Sequence, residues 1–91
     1  MLGNLLPDRV SAFLVRDDAM LEEHIIDGDV VLVEKRPYAR DGDVVVVFVE
    51  NKKVLLNKYY RDGANIELRP ANDNYQSVFV SADKIAIQGV V

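Results

Sequence analysis

Few side chains in this sequence are equipped for chemistry, and most of those sit where a plainer role is expected. His24 is the only histidine. Acid–base catalysis or metal binding would need further groups converging on it. Only scattered carboxylates lie near it in sequence, so neither role is expected and no metal is predicted. Asp17-Asp18 and Glu22-Glu23 bring carboxylates close together, but nothing in so short a charged stretch holds two of them at a working acid–base separation. They read as a solvated turn. Tyr59-Tyr60 could stack the bases of a single strand. Basic residues do not interleave with them and the net charge is −4, so packing within a strand is the expected use. There is no cysteine, which excludes disulfides and cysteine-based zinc sites and fits a reducing compartment.

The totals set the frame in which any site must be built. A chain of 91 residues is the length of one domain, spanning 1–91, with a single modest core that oligomerisation would help to stabilise. Hydrophobic residues make up 49% and charged residues 29%, a balance suited to a packed fold and not to disorder. The acidic balance makes this chain a poor polyanion binder, so direct nucleic-acid binding is not expected of it. If it serves a DNA-binding protein, another segment makes the DNA contact. No apolar run reaches the roughly 20 residues that span a bilayer, and Met1 to Leu6 is too short and uncharged for a secretory signal. A cytoplasmic domain without membrane contact or cofactor is the expectation.

The elements that must position a site are strands. Val30 to Val33 and Val44 to Val49 are β-branched runs, each entered through an Asp-Gly-Asp turn, Asp27-Gly28-Asp29 and Asp41-Gly42-Asp43. Asp27 and Asp41 are expected to cap those turns. Six successive apolar residues from Val44 predict a strand buried on both faces. Ser11 to Arg16, Val54 to Tyr60, Ile66 to Arg69, Gln76 to Val80 and Ile85 to Val91 complete the set. Glu50 to Lys53 and Arg61 to Asn65 are the expected turns, and Pro70 is a stop. Helix is limited to Asp18 to His24 and one turn at Ser81 to Lys84. Strands at this spacing predict a mainly β barrel or coiled sheet.

The order of short motifs narrows this further. Val15-Arg16-Asp17-Asp18-Ala19-Met20 is followed by Asp27-Gly28-Asp29 and its valine strand, then by Asp41-Gly42-Asp43 and a second valine strand. After these come Val54-Leu55-Leu56-Asn57-Lys58, Leu68-Arg69-Pro70-Ala71-Asn72 and Gly89-Val90-Val91. This succession, from about Ala12 to Val91, resembles the LexA/UmuD-like self-cleaving serine peptidase domain, the C-terminal domain of LexA-type repressors. That family runs Val-Arg-Gly-Asp-Ser-Met, two Gly-Asp turns with valine strands, Val-x-Val-Lys-Arg, Leu-x-Pro-x-Asn and a final Gly-x-Val-Val. A single Asp-Gly-Asp turn carries little weight; six motifs in order carry much more. The resemblance implies a mainly β, LexA/signal-peptidase-like coiled sheet or partly open barrel, with one short helical turn after position 19.

In that family a serine attacks a peptide bond of its own chain and a buried lysine, kept neutral by desolvation, takes the proton. Matched residue by residue, the nucleophile position falls on Ala19 and the base position on Asn57. Alanine has no hydroxyl and an amide is no base. Lys58 is the alternative base if the register slips by one or a bulge re-aims it, although alternation along a strand turns it away from Asn57. Asp17 stands where the family has glycine. The three departures read as decay or redesign of the site. No Ala-Gly or Cys-Gly cleavage pair precedes it; the nearest glycine is Gly3, and residues 1–10 read as a remnant of the linker that carries that pair.

The resemblance also implies partners. The last strand pairs with its copy in a second subunit, which here places a homodimer interface at Ile85, Ile87, Val90 and Val91, and a RecA-type filament is the family's co-protease. The expected function is that of a catalytically inactive dimerisation or regulatory module of a transcriptional repressor in an SOS-type response. Two alternatives stand beside it: a self-cleavage domain whose Ser-Lys dyad is blocked by substitution, and an unrelated β-barrel binding module.

Overall fold

The computed structural model describes residues 8–50 and 53–91. The linker reading of residues 1–10 therefore falls largely outside the described residues, as does the centre of the expected Glu50 to Lys53 turn. The strands are β1 (Val10–Leu14), β2 (Val30–Glu34), β3 (Val44–Val49), β4 (Lys53–Asp62), β5 (Asn65–Arg69), β6 (Val78–Ser81) and β7 (Ile85–Val90). They form one antiparallel sheet in the order β1-β2-β7-β3-β4-β5-β6. The sheet does not close: β1 and β6 remain as its two edges. Of the two expected architectures, the open coiled sheet is the one adopted.

Chain length alone demands the coil. Only Ala82–Lys84, a single 3₁₀ turn, separates β6 from β7, and four residue steps reach at most about 14 Å. Yet β7 lies four places from β6 in the sheet, about 19 Å across flat strands. The sheet must curl between β3 and β6 to bring those ends together. Two backbone bonds hold that closure: Ala82 N–H donates to the Ala64 carbonyl at 2.8 Å and Glu50 N–H to the Lys84 carbonyl at 2.7 Å.

Because the sheet curls, its central strand is covered on both sides. Val45, Val46 and Val47 are all buried, with 0%, 5% and 0% of their surface exposed, as the unbroken valine run implied. Val46 joins Val15, Met20, Val33, Leu56 and Ala71 on one face, while Val45 and Val47 join Tyr59, Ile66, Leu68 and Val90 on the other. Tyr59 is thus a core residue. Tyr60 points the other way, beneath the Arg69 guanidinium at 3.9 Å, so the pair cannot offer adjacent stacking surfaces.

The two Asp-Gly-Asp turns repeat one piece of chemistry, with the roles differently assigned than expected. The second aspartate caps each turn: Asp29 Oδ2 accepts from Ile26 N–H and Asp43 Oδ2 from Arg40 N–H, both at 3.0 Å. Gly28 and Gly42 supply the left-handed corner at φ 93° and 90°. Asp41 instead reaches across to the Arg61 N–H at 2.8 Å, tying its turn to β4. Helix after position 19 is shorter than expected, confined to a 3₁₀ turn at Leu21–Glu23 that His24 ends with φ 63°. The single histidine is a surface turn terminator.

Gly89 has a different reason to be glycine. A Cβ there would collide with the Val33 side chain and sit 2.6 Å from the Glu34 carbonyl oxygen, because the end of β2 presses on β7 at this point. The backbone atom has no room to give way. Gly89→Ala is expected to destabilise the fold by about 1–3 kcal/mol, measurable as a lower urea midpoint with an unchanged slope.

Candidate functional site

The loop between β1 and β2 carries Ala19, and a second loop after β5 holds it in place. Ala71 N–H donates to the Ala19 carbonyl and Glu22 N–H to the Ala71 carbonyl, both at 2.7 Å. The Asn72 side-chain amide donates to the Asp18 carbonyl at 2.7 Å, and Glu22 accepts from Asp73 N–H at 3.0 Å. These bonds give the Leu-x-Pro-x-Asn stretch its physical purpose. Pro70 ends β5, and Ala71 and Asn72 clasp the loop that bears position 19. The sequence displayed that motif without revealing what it holds.

Inside the clasp, Met20 is 1% exposed and anchors the loop in the core beside Val15, Val46 and Leu56. Ala19 is 6% exposed. Asn57 is also 6% exposed, the one buried polar residue among those described. Ala19 and Asn57 face a common cavity of about 110 Å³, walled also by Asp17, Leu55, Pro70, Tyr75 and Val78. That is room for a few waters or one small side chain. The wall formed by Tyr75 and Val78 had no sequence signal, since it reaches the cavity only through the curl of the sheet.

The register places Lys58 elsewhere. β3 and β4 pair without interruption from Val44 opposite Lys58 to Val49 opposite Lys53, so no bulge re-aims it. Its ammonium meets Glu23 at 3.4 Å, and Lys58 is absent from the cavity wall. The four carboxylates read as a solvated turn are exposed, and each also holds a partner: Glu22 and Glu23 as above, Asp18 with the Asp27 N–H at 3.1 Å, and Asp17 with the Ala19 N–H at 3.0 Å. Asp17 does so without left-handed backbone. Outside the site, hydrogen bonds from Arg69 outweigh partial desolvation and hold the Glu67 carboxyl below the usual carboxylate range.

On the other side of β3 from β4, β7 is paired unevenly. Its β3 side is paired from Ile85 to Val90 with a register shift that skips Gln88, whereas its β2 side is paired only at Val90, opposite Glu34. Ile85 to Gln88 therefore present an open backbone edge. Ile85 and Ile87 are half-buried and Val91 is 48% exposed, but Val90 is 6% exposed and belongs to the core. Tyr38, Ala39, Ile85, Ala86 and Ile87 border a groove of about 380 Å³ along this edge.

An open, mainly β coiled sheet is the architecture the resemblance implied, and here the loop after its first strand and the middle of its fourth line one cavity. The Peptidase S24-like family matches residues 3–91, and the chain belongs to that family. Among its relatives, the LexA repressor of Thermotoga petrophila is 47% identical over 77 residues, covering 85% of this chain and 39% of the relative. That of Thermotoga neapolitana is 41% identical over 91 residues, covering 98% and 46%. That of Koribacter versatilis is 44% identical over 77 residues, covering 85% and 37%. The chain thus spans less than half the length of these relatives. Family membership removes the unrelated β-barrel from the readings. Among the described residues, no helix is long and apolar enough to cross a membrane.

Proposed function

We propose that this chain is a non-cleaving S24 domain that serves a LexA-type repressor as a dimerisation and regulatory module. The observation that carries the reading is the shared cavity of Ala19 and Asn57. The positions matched to nucleophile and base both line that cavity, and neither side chain can attack or accept a proton. What remains useful is the scaffold. An unpaired strand edge with apolar flanks favours a second strand over water, and a second copy offering the same edge forms a closed two-fold pair. Such a pair would hold two attached DNA-binding segments at half-site spacing.

Sedimentation equilibrium across a concentration series tests the assembly. A dimer dissociating in the micromolar range is expected. Ala86→Lys, which puts a charge on an exposed position of the open edge, should convert it to monomer with its circular dichroism unchanged. Val90 is the wrong place for this substitution, because a charge there would unfold the core. A chain that stays monomeric at millimolar concentration would end the dimer reading.

A further inference from the structure

We infer that Asp17 is a third restraint on this site, holding it inactive even where serine and lysine are put back. The inference rests on reading positions 19 and 57 as those of nucleophile and base, and it concerns how the cavity is wired rather than how the chain assembles.

Two consequences follow from one carboxylate. The backbone N–H of position 19 is the donor nearest to any oxyanion formed by attack from that side chain, and serine hydrolases use the nucleophile's own N–H in this way. Here that N–H already donates to Asp17 Oδ1 at 3.0 Å. A tetrahedral oxyanion arriving there would meet a negative charge in place of a free donor.

The second consequence falls on the base. Asp17 and position 57 line the same cavity, and Asp17 is the only carboxylate in its wall, with Tyr75 the only other titratable group there among the described residues. Lys58 and Glu23, the nearest other charges by sequence and pairing, satisfy each other away from the cavity. A lysine at 57 would need desolvation to lose its proton, and the carboxylate of the exposed Asp17, on the wall of the same cavity, opposes that loss. Asp17 would therefore keep the restored lysine protonated and unable to serve as base. The backbone at 17 is not left-handed, so glycine and asparagine are both accommodated there.

The test has two arms. In the first, Asn57→Lys is made alone and together with Asp17→Asn, and the ammonium introduced at position 57 is titrated by NMR. That lysine should hold its proton at least about tenfold more tightly with aspartate at 17 than with asparagine. In the second, Ala19→Ser/Asn57→Lys is compared with the same pair carrying Asp17→Gly, on a fluorogenic peptide containing an Ala-Gly bond. The triple variant should cut about 10²-fold faster near neutral pH, with the acid limb of its pH–rate profile moved to lower pH. Equal titration of the introduced lysine in both backgrounds overturns the inference, as does a double variant as fast as the triple. A triple variant that does not cut, while the introduced lysine titrates as expected, removes the assignment of positions 19 and 57 and, with it, the restraint inferred for Asp17.

Discussion

Incubated with a peptide carrying an Ala-Gly bond, or with a RecA-type filament, this chain should remain intact and leave the peptide uncut. The expected rate lies on the order of 10⁶-fold below that of a competent serine enzyme, the loss typical when a nucleophile is removed. The reason is in the atoms at hand. Ala19 ends at Cβ, so no covalent acyl intermediate forms, and Asn57 faces the cavity with an amide that takes up no proton at neutral pH. Lys58 offers no rescue, because the unbroken β3–β4 register aims it at Glu23. A co-protease that works by favouring a cleavage-competent conformation has nothing to stimulate, since shifting a population cannot supply a missing hydroxyl. Mass spectrometry of chain and peptide after prolonged incubation checks this. Defined cleavage products that survive a serine-hydrolase-free preparation would sink the inactive reading.

Met20→Ala should be the most damaging single substitution near the site, costing about 2–5 kcal/mol. Met20 is 1% exposed and packs with Val15, Val33, Val46, Leu56 and Ala71. It is also the side chain through which the loop bearing Ala19 is rooted in the core. Removing it leaves a cavity in the cluster and frees one end of the clasp made with Ala71 and Asn72. For a domain of this size each kcal/mol moves the melting temperature by roughly 4–8 °C, so a fall of about 8 °C or more is expected in a thermal melt. Hydrogen exchange should also quicken at the amides of Glu22 and Ala71, which the clasp protects. A melting temperature indistinguishable from that of the unsubstituted chain would show that the loop is held by its hydrogen bonds alone.

Much of the strand pattern was written locally. The valine runs, the Gly-Asp turns and the stop at Pro70 have short-range causes: χ1 restriction, left-handed glycine and a missing amide proton. The order of the motifs identified the family, and with it the positions of Ala19 and Asn57. Where local signals were weak, tertiary contacts prevailed. Asp18 to His24 shrank to one 3₁₀ turn because its backbone groups found partners in the Ala71 loop and its acids in Asp27, Asp73 and Lys58.

The coil of the sheet lay beyond any local reading. It arises because a three-residue turn must join strands four places apart, a constraint that emerges only once the strand order is known. That coil buries both faces of β3 and brings Tyr75 and Val78 over the cavity. Tertiary packing likewise divided the last strand, sending Val90 to the core and leaving Ile85 to Gln88 unpaired on one side. The sequence by itself determined which side chains are present at the site. The tertiary structure decided which of them meet, because proximity between residues 17, 19 and 57 is set by strand register and by the loop that clasps them, not by spacing along the chain.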